Sequence, residues 1–377
     1  MSLYIDVTEF VANPITTGIQ RVVGEVCKHM PSDSAIPVRL HLGSYVALSP
    51  SLLHAIGQHF HNPSREGINE IRRLSAVEGS RRVHISQADT VLVPEVFIDQ
   101  NRVAFFKSMP EAEFERCRFI ICDLLPLTHP QYFSSEEFLE GIYGYFHVLR
   151  RAYRSVFISE YTRDVYYDRF KRANVRDGTV LPLGCDSLGP RANAPALERS
   201  LTFTVLGTIE PRKNHALILE AFEPLLRQIE GLELTFVGSM GWVERELAEK
   251  IYALAHDRKS GFHFHPSPDD AAMRKHIEKA RATIYVSAVE GYGLPPVESL
   301  WCGTPVIASR NIPSLRRIGT AGVHYVEPLS AENLRQAVFA FLDDGYANQK
   351  AKEAVEVNLP TWEEFAKEVF RWCSEST

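Results

Sequence analysis

Two glutamates, with seven residues between them, enclose a glycine-rich segment, Glu290-Gly-Tyr-Gly-Leu-Pro-Pro-Val-Glu298. An apolar run at 282–287, typical of a buried strand, precedes it, and a helical pattern follows. Carboxylates at such a turn accept hydrogen bonds from hydroxyl groups, such as those of a ribose and a hexose. The alternative interpretation is an ordinary turn with two solvated glutamates.

The residues between the two glutamates predict a helix N-terminus at the end of that strand. Gly291 and Gly293 allow a sharp turn and a close approach of a ligand to the main chain. Pro295 and Pro296 suit the first helical turn, where a missing N–H costs nothing. The free N–H groups and the dipole of a helix N-terminus favour an anion such as a diphosphate.

A pair of cations follows a second apolar run, 202–207. The segment reads Gly207-Thr-Ile-Glu-Pro-Arg-Lys-Asn-His215 and leads into a helical pattern at 214–228. Arg212 offers a forked donor and Lys213 a point charge, so together they predict an anion clamp at a strand–helix junction. An isolated pair of this kind is usually a solvated surface feature, and that interpretation is the alternative.

These segments resemble the family 4 glycosyltransferases, whose signature is a glutamate, seven residues and a second glutamate in a glycine-rich turn. The segment Cys302-Gly-Thr-Pro-Val306 resembles the family's entry into the next strand. The resemblance implies that Glu290 contacts the transferred sugar and that Glu298 contacts the ribose. It further implies a main chain that approaches the sugar and the diphosphate at Gly291, Tyr292, Gly293 and Leu294.

The family's basic pair is also represented, with one substitution. Lys213 matches the lysine that grips the diphosphate. The family's earlier arginine, directly after the glycine, is Thr208 in this chain, and Arg212 is expected to substitute for it. Ser267 to Asp270 resembles the segment beside the nucleobase, although an ordinary turn is the alternative.

The first loop of the chain contains Thr16-Thr-Gly-Ile-Gln-Arg21 before a helical pattern at 19–30. Thr16 or Thr17 is expected to cap that helix. In the family this loop faces the cleft between the domains, near the donor phosphate. Gly18 and Arg21 are therefore candidate donor-binding residues, although Arg21 is equally interpretable as a surface residue.

A further candidate lies after a central strand, in Cys122-Asp-Leu-Leu-Pro126. This segment resembles a family segment with a histidine where this chain has Cys122, so the role of that histidine is lost or replaced. Asp123 is expected either to accept an acceptor hydroxyl or to cap a turn. Ser159 is expected to cap the helix that follows it.

Repeated alternation of apolar strands and amphipathic helices predicts parallel sheets covered on both faces. Together with the resemblance it implies an α/β chain with the GT-B fold, two Rossmann-like domains facing across a cleft. We expect an acceptor domain at 1–187, a linker at 188–200 and a donor domain at 201–355. The segment 356–377 is expected to form a helix that packs back on the first domain.

Composition narrows the function classes. The chain has 377 residues, 45% of them hydrophobic, and a formal net charge of −6, which disfavours nucleic-acid binding. Six scattered cysteines suit buried thiols in a cytoplasmic protein, and neither a signal peptide nor a membrane-spanning segment is expected. The basic, aromatic stretch 150–176 contacts the inner face of the membrane or is a solvated helix face. An Arg-rich stretch, 65–82, reads as a loop.

The expected function is a retaining, metal-independent transfer of a hexose onto a glycan or a lipid-linked glycan in surface polysaccharide synthesis. No cofactor is expected beyond the nucleotide-sugar donor, and no metal-binding motif is evident. The strings around Arg212 and Glu290 look most like bacterial mannosyltransferases, which favours GDP-mannose. Rhamnosyl or fucosyl transfer from a dTDP- or GDP-sugar and a catalytically silent scaffold remain the alternatives.

Overall fold

The computed structural model describes residues 2–15, 18–31, 35–77, 81–133, 135–170, 177–196 and 199–375. The chain divides into two compact units. The first unit comprises Met1–Gly184 and Pro360–Thr377, and the second comprises Cys185–Leu359.

The first unit contains a seven-stranded sheet with the strand order β3-β2-β1-β4-β5-β6-β7. All neighbouring strands are parallel except β2 and β3, which are antiparallel. Its strands are β1 (Leu3–Asp6), β2 (Ala35–His41), β3 (Ser44–Ala47), β4 (Thr90–Val93), β5 (Cys117–Ile121), β6 (Arg154–Phe157) and β7 (Asp177–Val180). The strands β4 and β5 are buried along their whole length, as parallel strands covered on both faces must be.

Helices cover this sheet, and the core between them is rich in aromatic residues, with Phe97, Phe106 and Phe119 fully buried. The helices are α1 (Thr8–Ala12), α2 (Gly18–His29), α3 (Ser51–His61), α4 (Arg65–Leu74), α5 (Gln100–Ser108), α6 (Glu111–Phe114), α7 (Leu125–Thr128), α8 (Glu136–Leu149) and α9 (Glu160–Arg169). The side chain of Ser159 accepts the N–H of Thr162, which confirms its predicted role as a helix cap.

The second unit contains a six-stranded parallel sheet with the order β10-β9-β8-β11-β12-β13. Its strands are β8 (Thr202–Leu206), β9 (Glu233–Val237), β10 (Phe262–His265), β11 (Ala282–Tyr285), β12 (Val306–Ser309) and β13 (Val323–Val326). Its helices are α10 (His215–Gln228), α11 (Arg245–His256), α12 (Asp270–Lys279), α13 (Leu294–Trp301), α14 (Ala331–Leu342) and α15 (Asp344–Glu356). In the register of the central strands, Ile284 lies between Val205 and Ile307, and all three side chains are buried.

The last helix, α16 (Trp362–Ser374), belongs to the first unit and packs against α2 and β4. Thr361 and Glu364 form a reciprocal capping box at its start. Trp362 is 1% exposed. The segment 356–377 is thus divided between the units, because α15 ends at Glu356 and the change of unit falls after Leu359.

The segment that we expected to be a linker, 188–200, is different in the structure, because it belongs to the second unit. Arg191 donates to the carbonyl of Val355 at 2.8 Å, and Arg199 donates to that of Gly303 at 2.9 Å. The division between the units falls earlier, at Gly184. Proline, glycine and the lack of periodicity led to the prediction of a linker. The contacts that fix the segment come from long arginine side chains that reach carbonyl groups far away in the sequence.

The prediction of a loop over 65–82 is wrong for its first half. Residues 65–74 form α4, which Ser64 caps by accepting the N–H of Gly67. Its arginines lie on the exposed side, and Ile71 alone is fully buried among its residues. The helix is strongly amphipathic but rich in charged residues, and a search for apolar runs therefore passes over it.

Candidate functional site

The candidate donor site lies where the strand order of the second unit reverses. The chain runs from β8 outward through β9 to β10, and from β11 outward through β12 to β13. The segments after β8 and β11, which carry Arg212 and Glu290, are therefore neighbours at the carboxyl edge of the sheet. Open α/β sheets bind ligands at such a reversal point.

The glycine-rich turn between β11 and α13 has the geometry that its sequence predicts. Gly293 precedes the helix with φ +91°, a left-handed conformation that favours glycine. A Cβ at this position would lie 2.6 Å from Cγ2 of Ile312. Pro295 and Pro296 occupy the first turn of α13, and within the described residues no side chain caps this helix.

Three serine contacts hold this turn in place. Ser314 donates its hydroxyl to the carbonyl of Gly293 at 2.6 Å and its main-chain N–H to the carbonyl of Tyr292 at 2.9 Å. Ser309 donates its hydroxyl to the carbonyl of Ser287 at 2.6 Å. Because the carbonyl groups of Ser287, Tyr292 and Gly293 accept these hydrogen bonds from the protein itself, the conformation of the turn does not depend on a ligand. Gly291, Tyr292 and Gly293 are buried and Leu294 is half-buried.

Glu290 lies inside a cluster of charged side chains. Its Oε2 forms an ion pair with Nη1 of Arg212, and its Oε1 accepts the hydroxyl of Tyr285 at 2.7 Å. Nη2 of Arg212 forms a second ion pair with Oε1 of Glu210 at 2.5 Å. The three charged side chains are 8%, 17% and 6% exposed, so the cluster is shielded from water.

The surroundings of Glu290 favour its ionised form. Burial by itself raises the pKa of the Glu290 carboxyl, but Arg212 and Lys213, with the hydrogen bonds from Arg212 and Tyr285, lower it below its usual value. Burial beside this carboxylate raises the pKa of Tyr285 well above its usual value. Tyr285 is therefore a neutral hydrogen-bond donor, and Glu290 is a carboxylate at neutral pH.

Lys213 is 10% exposed and lies further from the carboxylates than Arg212 does. Its Nζ is 3.9 Å from Oε1 of Glu210 and 5.7 Å from the centre of the Tyr285 ring. A Cβ on Gly207, whose φ is +101°, would collide with this Nζ, so the glycine makes room for the ammonium group. Burial is the main reason that the pKa of Lys213 lies below its usual value.

Glu298 lies on α13, and its Oε1 accepts the hydroxyl of Ser187 at 2.7 Å. Both residues are buried. The sequence pattern did not reveal Ser187, because it precedes the second unit's first strand and lies 111 residues from its partner. Thr208 is half-buried on the segment after β8, and the ligand contact expected for it stays a prediction.

The candidates in the first unit occupy the start of α2 and the end of β5. Gly18 is the exposed first residue of α2, and no heavy atom of the described residues beyond its chain neighbours lies within 4 Å of a Cβ placed on it. The guanidinium of Arg21 lies 5.4 Å from the centre of the Phe60 ring, which fits the interpretation as a helix-surface residue. Thr16 and Thr17, the predicted caps, lie outside the described residues.

Asp123 accepts the main-chain N–H of Leu125 at 3.1 Å, so it caps the turn that begins α7. This contact is the structural alternative that the sequence left open, and the acceptor contact stays a prediction. Cys122 is buried, and burial raises the pKa of its thiol. A buried neutral thiol does not replace the proton-transfer chemistry of a histidine.

A buried charge cluster at the end of β1 and the start of α1 escaped the sequence analysis. Nη2 of Arg102 pairs with Oδ2 of Asp6 at 2.7 Å, and its Nη1 pairs with Oε2 of Glu95 at 2.8 Å. Glu95 also accepts the main-chain N–H groups of Glu9 and Phe10 at 2.9 and 2.8 Å, which fixes the start of α1. The available signal was Asp6, a carboxylate at the end of an apolar strand.

Residues 191–357 match the model of the family described as Glycosyl transferases group 1. The second unit belongs to this family. The resemblance drawn from the sequence is thereby confirmed for the segment that contains Glu290, Glu298 and Lys213.

Curated relatives with a similar sequence carry mannosyltransferase names. The serotype-specific mannosyltransferase WbdA of Escherichia coli is 31% identical over 199 residues, which are 52% of this chain and 24% of WbdA. The O-antigen chain mannosyltransferase B of Escherichia coli is 29% identical over 141 residues, which are 37% of this chain and 36% of that protein. The chain therefore spans only about a quarter to a third of the length of these relatives.

Solved structures resemble the fold of both units of the chain. Anabaena HepE (Alr3699), in complex with UDP and glucose, aligns over 100% of both chains with a TM-score of 0.66 and 14% identity. WaaG, a glycosyltransferase involved in lipopolysaccharide biosynthesis, aligns over 99% of this chain and 100% of its own, with a TM-score of 0.61 and 13% identity. The predicted fold class, GT-B with two Rossmann-like domains, is confirmed.

The described residues contain neither a membrane-spanning helix nor a group of metal ligands. No helix among them combines the length and the apolar composition needed to cross a bilayer. No three His, Cys, Asp or Glu side chains among them are grouped so that they could hold a metal ion.

Proposed function

We propose that this chain is a retaining glycosyltransferase that moves a hexose from a nucleotide sugar to a glycan or a lipid-linked glycan. The observation that carries the proposal is the ionised Glu290, held by Arg212 and Tyr285 beside Lys213 and the N-terminus of α13. Carboxylate, cation and helix N-terminus are the groups that a sugar diphosphate requires.

The donor's parts are matched to these groups by their chemistry. Lys213 and the N-terminus of α13 bind the diphosphate, whose charge they balance. Glu290 accepts hydrogen bonds from hydroxyl groups of the transferred sugar, and Glu298 accepts them from the ribose. The main chain from Gly291 to Leu294 carries no bulky side chain at Gly291 and Gly293, which lets the sugar and the diphosphate lie close to it.

The reaction breaks the bond between the anomeric carbon and the diphosphate oxygen. The acceptor hydroxyl attacks the anomeric carbon on the face that the diphosphate leaves, so the configuration is retained. Its proton passes to the departing phosphate oxygen, and Lys213 stabilises the charge that develops on the leaving group. The scheme uses no metal ion, since a lysine and a helix N-terminus supply the positive charge.

GDP-mannose is the proposed donor, and a growing surface polysaccharide is the proposed acceptor class. The mannosyltransferase names of the relatives from Escherichia coli support this choice. Rhamnosyl or fucosyl transfer from a dTDP- or GDP-sugar is the alternative that shares the same site. We place the reaction in the cytoplasm at the inner face of the membrane, where a lipid-linked acceptor would be met.

A thermal-shift panel tests the donor. GDP, UDP, dTDP and their sugar conjugates are compared with and without EDTA, and a ligand at 100 times its Kd stabilises the fold by about 2.7 kcal/mol. The expected result is a selective response to GDP and GDP-mannose that EDTA does not change. A response to another base replaces the donor, and a response that EDTA abolishes contradicts metal independence.

A variant then tests the site. Lys213→Ala removes the buried ammonium group and should weaken GDP binding about tenfold or more. Lys250→Ala is the matched control, because Lys250 is 46% exposed on α11 and pairs with Glu223. Equal GDP affinity of the two variants would refute the role of Lys213. Wild-type protein that binds no nucleotide in the panel would favour a silent scaffold.

A further inference from the structure

Arg212 and Lys213 are adjacent in sequence, but the structure gives them different partners. The two terminal nitrogens of Arg212 each form an ion pair, with Glu210 on one side and Glu290 on the other. The Nζ of Lys213, by contrast, is 3.9 Å from Oε1 of Glu210. The four side chains sum to zero formal charge, so the cluster is already balanced without a ligand.

A diphosphate reaches these two cations at different cost. A diphosphate reaches the N–H groups that already bind Glu210 and Glu290 only by displacing a carboxylate that is less than one-tenth exposed, and the displaced carboxylate then loses its partner inside the protein. Among the residues that the structure describes, Lys213 has no such short pairing to break. Its ammonium group has three donors on a flexible stem and turns toward a phosphate at little cost.

The main chain ties Arg212 to the segment that carries Glu290. The carbonyl of Arg212 accepts the N–H of Ala288 at 2.8 Å, and its Nη1 donates to the carbonyl of Val289 at 3.3 Å. The neighbouring Asn214 donates its Nδ2 to the carbonyl of Val286 at 2.8 Å. Successive residues before Glu290 are therefore fixed by the segment that contains Arg212.

We infer that Arg212 is a positioning residue that orients Glu290 toward the donor sugar, with Glu210 holding Arg212 in place, and that Lys213 is the cation that binds the diphosphate. This assignment rests on the proposed function and differs from the paired clamp that the sequence suggested. Tyr285 completes it, because each oxygen of Glu290 receives one donor and keeps a lone pair for a sugar hydroxyl.

Binding measurements with GDP and GDP-mannose separate the two roles, because GDP contains the diphosphate but not the sugar. Should the panel select another base, UDP or dTDP and the matching conjugate replace them. In Arg212→Gln, GDP affinity should stay within about threefold of wild type, whereas Lys213→Ala loses about tenfold or more. Arg212→Gln should also lose the additional affinity that the mannose contributes. Arg245→Gln is the control, since Arg245 is 90% exposed and its Nε pairs with Oε1 of Glu249, its neighbour on α11, at 2.6 Å.

Turnover gives a second readout. Misplacing Glu290 by about an ångström should lower kcat roughly a hundredfold in Arg212→Gln. Because Arg212 lowers the pKa of Glu290, its removal should move the acidic limb of the kcat profile to higher pH. A loss of packing alone would leave that limb unmoved.

Glu210→Gln keeps the shape of the side chain and leaves Arg212, Lys213 and Glu290 in place. It therefore tests whether Arg212 positions Glu290 even if Arg212→Gln fails to fold. We expect a lower kcat with unchanged or slightly tighter GDP binding, since a negative charge near the diphosphate is lost. Unchanged kcat in Glu210→Gln, or equal loss of GDP affinity in Arg212→Gln and Lys213→Ala, would overturn the inference. Absence of nucleotide binding in the wild type would instead overturn the proposed function.

Discussion

Replacing Gly293 by alanine should damage the donor site and the stability of the second unit together. The residue has φ +91°, and the added Cβ would lie 2.6 Å from Cγ2 of Ile312 and 3.3 Å from the hydroxyl oxygen of Ser314. That hydroxyl donates to the carbonyl of Gly293, so the collision also disturbs a contact that holds the turn.

The magnitude follows from three contributions to the free energy of unfolding. A left-handed conformation costs a residue with a Cβ about 1–2 kcal/mol. Forcing a carbon against the buried Ile312 costs about 1–3 kcal/mol. Alanine regains about 0.4–1 kcal/mol, because it restricts the unfolded chain. We therefore expect a net loss of about 1–4.6 kcal/mol and weaker binding of GDP-mannose.

Gly231→Ala is the matched control. Gly231 has φ +75°, but a Cβ at this position meets no heavy atom within 4 Å in the described part of the chain, apart from its chain neighbours. It should therefore show only the conformational part, a loss of about 1 kcal/mol, with normal GDP-mannose binding.

Hydrogen exchange read by peptide mass spectrometry is a suitable assay for both variants. It reports the opening free energy of each unit separately, which a single melting curve of a two-unit chain does not. Equal destabilisation by Gly293→Ala and Gly231→Ala would refute the reasoning, because the contact with Ile312 would then contribute nothing. A stable Gly293→Ala variant with full donor binding would show that the turn is not needed in this form.

Three further outcomes are expected. Burial and Lys213 lower the pKa of His215 to about 3 from a usual 6.5. Between pH 6.5 and about pH 3 the unfolded chain therefore binds a proton that the folded chain does not. The free energy of unfolding falls as the pH is lowered through this window, by up to about 1.4 kcal/mol per pH unit. Urea unfolding at pH 6.5 and pH 5 should give a smaller difference in the free energy of unfolding for His215→Leu than for the wild type. The same difference in both proteins contradicts the prediction. Thr361→Ala removes a capping side chain and should cost about 1 kcal/mol, measured as faster exchange in α16. Gly184→Ala places a Cβ against the main-chain nitrogen of Trp362 and should destabilise the first unit by more than Thr361→Ala does, and a smaller effect in the same assay contradicts it.

Much of the second unit was predictable, because its signals are local. The strand runs, the helix that follows Gly293, and the two prolines at its start each depend on a few consecutive residues. The first unit was harder to predict. The strands β2 and β3 and the helix α4 were missed. The strand β3 runs antiparallel to β2, outside the parallel strand–helix alternation, and α4 is amphipathic but rich in charged residues.

The sequence by itself determined the residue types of the site and their spacing along two turns. Gly293 had to adopt a conformation that few other residues reach, and Glu290 had to follow a buried strand, because backbone sterics and apolar periodicity act within a few residues. These constraints are sufficient to predict a donor site near Glu290, Glu298 and Lys213.

Only the tertiary structure decided which groups meet. Arg212 and Glu290 are 78 positions apart in the numbering, and they pair because β8 and β11 are neighbours in the sheet. Ser187 reaches Glu298 across 111 positions because the second unit begins at Cys185 and so contains both residues. Strand order sets such contacts, and it depends on how whole elements bury their apolar faces, which no single turn encodes.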